Sequence, residues 1–118
     1  MPSPKQFVEN FKHAVTDLRS YFPDNQKLKT CYNRLDLLLE STYRLFVQEY
    51  YDSISPYEDA LMDSNTKVFF DNQENIEVLQ EIDARNLWKD MTETQRSHIW
   101  TQIQNLYMDS YDILFPEK

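Results

Sequence analysis

The absence of glycine constrains this chain more than any other feature of its sequence. None of the 118 residues is glycine, whereas tight hairpin turns depend on positive φ angles that glycine adopts most readily. P-loops, Rossmann fingerprints and nucleophile elbows also require glycine, so these classes of site are disfavoured. Helices joined by proline, asparagine, aspartate and serine breaks remain. We therefore expect one all-α domain spanning residues 1–118.

Apolar residues that recur three and four positions apart predict a bundle of four to five helices, orthogonal or up-and-down. The first helix is expected over residues 4–22. The longest pattern predicts a central helix over residues 26–51, because no proline or turn cluster interrupts it. Within this helix, Leu37, Leu38 and Leu39 would point in different directions, which is typical of a helix packed on more than one side.

The last helix, expected over residues 93–114, has the clearest start signal in the chain. Thr92 and Gln95 have the spacing of a capping box, in which each side chain bonds the other residue's backbone amide. We expect this helix to pack antiparallel to the central helix. The two tryptophans, Trp88 and Trp100, should then lie on either side of the corner that precedes it.

The middle of the chain, residues 48–83, shows weaker patterns and is expected to be rich in loops. A short helix capped by Ser55 is predicted there, followed by an anchored loop or short helical turn around Phe69. A further short helix, capped by Asp83, should lead to about Met91.

The same middle segment carries the negative charge of the protein. Residues 48–83 hold ten acidic side chains and one basic side chain, Lys67, in a chain whose net charge is −8. Such a field repels phosphate backbones, so direct binding of nucleic acid is disfavoured and a partner with a basic surface is favoured. The alternative is that this surface only keeps the protein in solution.

Candidate chemical groups are few. Cys31 lies between Leu28 and Leu35 on an apolar stripe, which predicts a small buried residue instead of a nucleophile. The two histidines, His13 and His98, lie off the apolar stripes of different helices, and no zinc-site spacing is present. We expect no catalytic residue, no metal and no cofactor. No apolar run approaches the roughly 18 residues of a membrane span, so we expect a cytoplasmic protein without membrane contact.

Aromatic residues beside the acidic segment are the best candidates for contact with another protein. Exposed tyrosines supply large contact areas, and neighbouring carboxylates would attract a basic partner. The residues expected to bind a partner are Tyr50, Tyr51, Tyr57, Glu58, Asp59 and Asp63.

The last third of the chain resembles small helical proteins of unassigned function encoded by nucleocytoplasmic large DNA viruses, the giant viruses. The residues that carry the resemblance are Ile82-Asp83, Leu87-Trp88-Lys89-Asp90, Ile99-Trp100 and Leu106-Tyr107, preceded by an amphipathic first helix that ends in Phe22-Pro23. These are packing residues, so no active site can be transferred. The resemblance implies a viral product that acts in the virion or in the cytoplasm of an infected cell.

Three hypotheses about function follow from these patterns. The favoured one is a non-enzymatic protein-interaction or assembly module, which could also form a homo-oligomer. The second is an acidic mimic of nucleic acid that occupies a basic DNA- or RNA-binding protein. The third is an enzyme that uses clustered carboxylates with a divalent metal, although no Asp-rich calcium loop is present.

Overall fold

The computed structural model describes residues 2–116, and it confirms the all-α class because no strand occurs in that part of the chain. Eight α-helices replace the four to five that were expected. The helices are α1 (Pro4–Tyr21), α2 (Gln26–Asp36), α3 (Tyr43–Ile54), α4 (Glu58–Met62), α5 (Thr66–Asp71), α6 (Glu77–Ile82), α7 (Ala84–Asp90) and α8 (Glu93–Leu114). Three 3-10 turns connect them at Glu40–Thr42, Ser55–Tyr57 and Gln73–Asn75.

The first and last helices match the sequence patterns closely. The Ser3 hydroxyl accepts from the Gln6 amide at 3.1 Å at the start of α1. At the start of α8, the Gln95 amide donates to the Thr92 hydroxyl at 3.2 Å, and the Thr92 amide donates to the Gln95 side chain at 3.0 Å. The predicted capping box is therefore confirmed. Hydrogen bonds between residues three positions apart thus determine where both helices start, without help from tertiary contacts.

The predicted long central helix is wrong, since it is divided into α2 and α3 around Leu37, Leu38 and Leu39. A straight helix over residues 26–54 would be about 43 Å long, whereas α1, against which both halves pack, would be about 27 Å long. One half of a straight helix would lack a covering neighbour. The break allows α2 and α3 to pack against α1 together.

The middle of the chain was expected to be rich in loops, but it consists mainly of the short helices α4, α5 and α6. The turn around Phe69 is helical, and Phe69 is completely buried. Ser55 is not the N-cap of the following helix, as was expected, because it is the C-cap of α3 and begins a 3-10 turn that continues directly from that helix. Helices of five or six residues are not stable alone in water, so these depend on the core that they cover.

Helix α8 runs antiparallel to α3, and both pack against α1. Arg44, near the start of α3, donates to the Ile113 carbonyl at 3.5 Å, whereas Tyr50, later in α3, donates to the Ile103 carbonyl at 3.1 Å. The order of these contacts reverses along the two helices, which establishes their direction. Buried side chains from all eight helices form one continuous core.

Aromatic rings connect helices that are distant in sequence. Edge-to-face contacts join Phe7 and Phe11 of α1 to Phe46 and Tyr50 of α3, with ring centroids 5.1 to 6.0 Å apart. In a second group, the rings of Trp88 and Trp100 lie 5.9 Å apart across the α7–α8 corner, as predicted. Edge-to-face geometry suits the ring quadrupoles in the first group, and the second group combines tilted pairs with the edge-to-face contacts of Phe69 to Phe70 and Trp100. Each group therefore favours one particular arrangement of its helices.

Two turns adopt the left-handed conformation that glycine usually supplies, at Ser64 (φ 57°) and Asp83 (φ 52°). Both side chains make tertiary or medium-range hydrogen bonds. The Ser64 hydroxyl accepts from the Trp100 indole at 3.2 Å, and the Asp83 carboxylate accepts from Gln73 at 2.8 Å and from Asn86 at 2.5 Å. Asp83 occupies the N-cap position of α7, as expected, but its side chain makes no capping hydrogen bond to the α7 backbone and instead holds the α6–α7 turn through Gln73 and Asn86.

We predict that ionised Asp83 stabilises the fold in a pH-dependent manner. The hydrogen bond from Gln73, followed by that from Asn86, lowers the pKa of the Asp83 carboxyl below its ordinary value of 3.8. The folded state therefore binds the proton less readily than the unfolded state, and this stabilisation is present above pH 3.8. It is lost as the pH falls through the lowered folded-state pKa.

Denaturant unfolding at several pH values measures this effect. Between about pH 5 and pH 2, Asp83→Asn should lose less unfolding free energy than the native chain, while Asp24→Asn, at an exposed turn position, should behave like the native chain. Identical pH profiles for the native chain and Asp83→Asn would contradict the assignment.

Candidate interaction surface

Tyr50 is not available to a partner, so its place among the expected contact residues is wrong. Its side chain is only 6% exposed and packs against Phe7 and Phe11. Its hydroxyl donates to the Ile103 carbonyl, and burial raises the pKa of the phenol above its ordinary value. Tyr50 is a structural link between α3 and α8.

Tyr51, the neighbouring residue, lies at the surface edge of the α3–α8 contact. Four rings meet there, and we call Tyr51, Tyr107, Tyr111 and Phe115 the aromatic cluster. Tyr51 stacks on Tyr107 with centroids 5.3 Å apart and an interplanar angle of 6°, and Phe115 meets Tyr51 edge-on at 5.4 Å. Tyr51 and Tyr111 are half-buried, whereas Phe115 is 38% exposed. The aromatic cluster therefore presents ring surface to solvent.

Glu58 joins the first turn of α4 to this aromatic cluster. The Tyr107 hydroxyl donates to the Glu58 carboxylate at 2.7 Å, while the rest of Glu58 is exposed. Burial of Tyr107, together with this hydrogen bond to a carboxylate, raises the pKa of its phenol. The carboxylate is thus held at a fixed position beside the rings.

The other expected contact residues lie on the same short helix or beside it. Asp59 and Asp63 are exposed, at the start of α4 and immediately after its end. Tyr57 is half-buried and packs against the core. The structure therefore places Tyr51 and Glu58 around one site through Tyr107, and it leaves Asp59 and Asp63 solvated nearby along the chain.

Folding distributes the negative charge of residues 48–83 unevenly. Arg34 makes a two-pronged contact with Glu81 at 2.7 and 2.9 Å, Arg85 binds Glu74, and Lys67 binds Asp71. These ion pairs all involve acids after residue 70. Within residues 2–116, no ion pair engages the acids between 49 and 63. Most of the uncompensated charge therefore lies in residues 49–63, the part of the segment that includes Glu58 at the aromatic cluster.

A second exposed apolar surface was missed by the sequence patterns. Leu37, Leu39 and Leu45 are 80%, 68% and 58% exposed, and we call them the leucine segment. These residues connect α2 to α3 and begin α3. The run of three consecutive leucines was a usable signal, because a helix covered on one side cannot bury all three side chains.

The cysteine and the two histidines, the candidate reactive side chains in the sequence, are either buried in the core or exposed to solvent. Cys31 is fully buried, as predicted, and burial raises the pKa of its thiol to about 11, so the unreactive neutral form prevails at neutral pH. His98 is exposed and contacts the Asp17 carboxylate at 2.8 Å, and His13 is exposed on α1.

The described part of the chain contains neither a metal-binding cluster nor a membrane-spanning helix. Residues 2–116 contain no group of three or more histidine, cysteine, aspartate or glutamate side chains arranged to hold a metal ion. None of the helices in that range has the length and apolar character needed to cross a bilayer.

Comparison with known proteins provides no family assignment. No protein-family model, no curated protein and no solved structure matches this chain. The surfaces of the molecule itself are therefore the guide to what it binds.

We predict that the Tyr107–Glu58 hydrogen bond contributes about 1 kcal/mol to stability, a modest value because Glu58 remains in contact with water. A double-mutant cycle of Tyr107→Phe and Glu58→Ala, with unfolding free energies from urea denaturation, isolates this interaction, because alanine offers no acceptor to the Tyr107 hydroxyl. Each single variant should be destabilised, and the double variant should lose less than the sum. Strict additivity would show that the two groups do not interact in solution.

Proposed function

We propose that this protein is a non-enzymatic interaction module that binds a basic segment of another protein at the aromatic cluster. The observation that supports the proposal is the meeting of partly exposed rings with a fixed carboxylate, where Tyr51 stacks on Tyr107 and Tyr107 binds Glu58. Aromatic residues are enriched at the energetic centres of protein interfaces. A rigid stack also loses little conformational entropy when a partner binds.

The chemistry of this surface favours arginine or lysine from the partner. A cation over an aromatic face is attracted by the ring quadrupole, and the contribution is about 0.5 to 1 kcal/mol at exposed sites. Glu58, Asp59 and Asp63 would add long-range attraction, because no ion pair compensates them within residues 2–116. The rings would supply affinity, and the carboxylates would supply selection for a basic partner.

The rival proposal, an acidic mimic of nucleic acid, is less well supported. A mimic requires many uncompensated charges, whereas Arg34, Lys67 and Arg85 compensate three acids of the acidic segment. The two proposals also differ in salt dependence. Mimicry of 6–10 phosphates should cost about 10³-fold or more in affinity between about 50 and 200 mM salt, whereas binding anchored on aromatic rings should lose much less.

The setting in which the module acts is also part of the proposal. The resemblance of the last third of the chain to giant-virus proteins is its sole support. It suggests that the module acts in the virion or in the cytoplasm of an infected cell.

We predict that a short peptide in which arginine alternates with leucine binds the aromatic cluster. In titrations followed by amide chemical shifts, Phe115→Ser should weaken binding at least about fivefold, the effect of losing roughly 1 kcal/mol. Glu58→Gln should also weaken binding, because it removes the negative charge beside the rings. Its matched control is Glu74→Gln, which also removes one negative charge but lies in the ion pair with Arg85. This control should retain the native affinity within about twofold.

Two results would contradict the proposed site. One is equal weakening by Glu58→Gln and Glu74→Gln, which would indicate nonspecific attraction to an acidic protein. The other is a loss of affinity of about 10³-fold when salt is raised, which would favour the mimic instead.

A second use of this protein, self-association, is favoured by the exposure of the leucine segment. Three large apolar side chains exposed within nine residues of the chain are a candidate association surface. Two copies related by a twofold axis would each contribute the same leucines, so one apolar segment could serve both partners.

Sedimentation velocity tests self-association directly. At high protein concentration, the native chain should sediment partly as a species of twice the 14.3 kDa chain mass. A variant with Leu37→Ser and Leu39→Ser should remain a monomer and should keep its stability, because both side chains are largely exposed. A native chain that remains monomeric throughout would exclude this use of the leucine segment.

A further inference from the structure

The core contains a cavity of about 60 Å³ that is not part of either exposed surface. Side chains from every helix except α4 line it, including Leu18 of α1, Cys31 of α2 and Ile99 of α8. Nearly all of the lining residues are buried. The exceptions are Ala14, Val78 and Ile103, which are half-buried.

The lining offers almost no hydrogen-bonding group. The two polar side chains on its wall are Tyr50, whose hydroxyl already donates to the Ile103 carbonyl, and Cys31, which carries a neutral thiol at physiological pH. A buried water typically needs two to four polar partners, and an apolar cavity of this kind stays dry. Water is therefore a poor occupant of this space.

The volume limits what could replace water. An engineered core cavity of about 150 Å³ lined by leucine, isoleucine and phenylalanine accepts benzene or xenon. The present cavity is less than half that size, so a compact molecule smaller than benzene fits best. Such a molecule would recover dispersion contacts that the lining atoms lack while the cavity is empty.

We propose that this cavity is a binding site for a small apolar molecule without hydrogen-bonding groups, of the size of a xenon atom or a three-carbon hydrocarbon. The proposal does not depend on the proposed interaction surface, because the aromatic cluster and the leucine segment lie outside the cavity wall. Selectivity would come from size and from the absence of polar partners.

Xenon under pressure is the probe, and methyl chemical shifts of the intact protein are the measurement. Xenon should cause saturable shifts at lining methyl groups such as those of Val15, Ile99 and Leu106, whereas methanol should not. Filling the cavity with Ala84→Leu should weaken xenon binding at least about tenfold. The matched control, Leu39→Ala at an exposed position, should bind like the native chain.

Shifts that do not saturate, or that are scattered over surface methyl groups, would overturn the proposal. So would unchanged xenon affinity in a folded Ala84→Leu variant. If that variant does not fold, an enlarged cavity provides the second comparison. Benzene should then raise the Tm of Leu18→Ala more than that of the native chain, and equal responses would contradict the assignment.

Discussion

The burial of aromatic rings between helices is the interaction on which this structure depends. Helices α4 to α7 have five to seven residues each and could not persist without tertiary contacts. Rings from α1 and α3 interlock in one group, and rings from α5, α7 and α8 interlock in another. Large side chains thus supply apolar area that a short helix with small residues could not.

Local signals in the sequence predicted the parts of the fold that local interactions determine. The capping box at Thr92 and the apolar stripe of α8 required no knowledge of the partner helices. The break after α2 could not be predicted in this way, because neither glycine nor proline marks it and the buried faces of α2 and α3 remain nearly in phase along the chain. The break instead suits a tertiary constraint, since it lets α2 and α3 both pack against α1.

The difference between local and tertiary interactions also explains why only part of the candidate interaction surface was predicted from the sequence. The sequence located the acidic segment and indicated aromatic residues beside it, but it could not separate buried Tyr50 from partly exposed Tyr51. It also could not bring Tyr107 and Phe115 to Tyr51, because more than fifty positions separate them and no local pattern connects them. The uneven charge has the same origin, since Arg34 and Arg85 reach the acidic segment only after folding.

The left-handed turns at Ser64 and Asp83 also determine how this protein could be made more robust. At such positions a change to glycine ordinarily relieves steric strain. In this protein, Ser64→Gly would also remove the hydroxyl that accepts from the Trp100 indole. Asp83→Gly would remove the carboxylate that accepts from both Gln73 and Asn86. Each turn therefore couples a locally unfavourable backbone to a distant attachment, and thermostability engineering should leave both residues in place and improve the exposed helix faces instead.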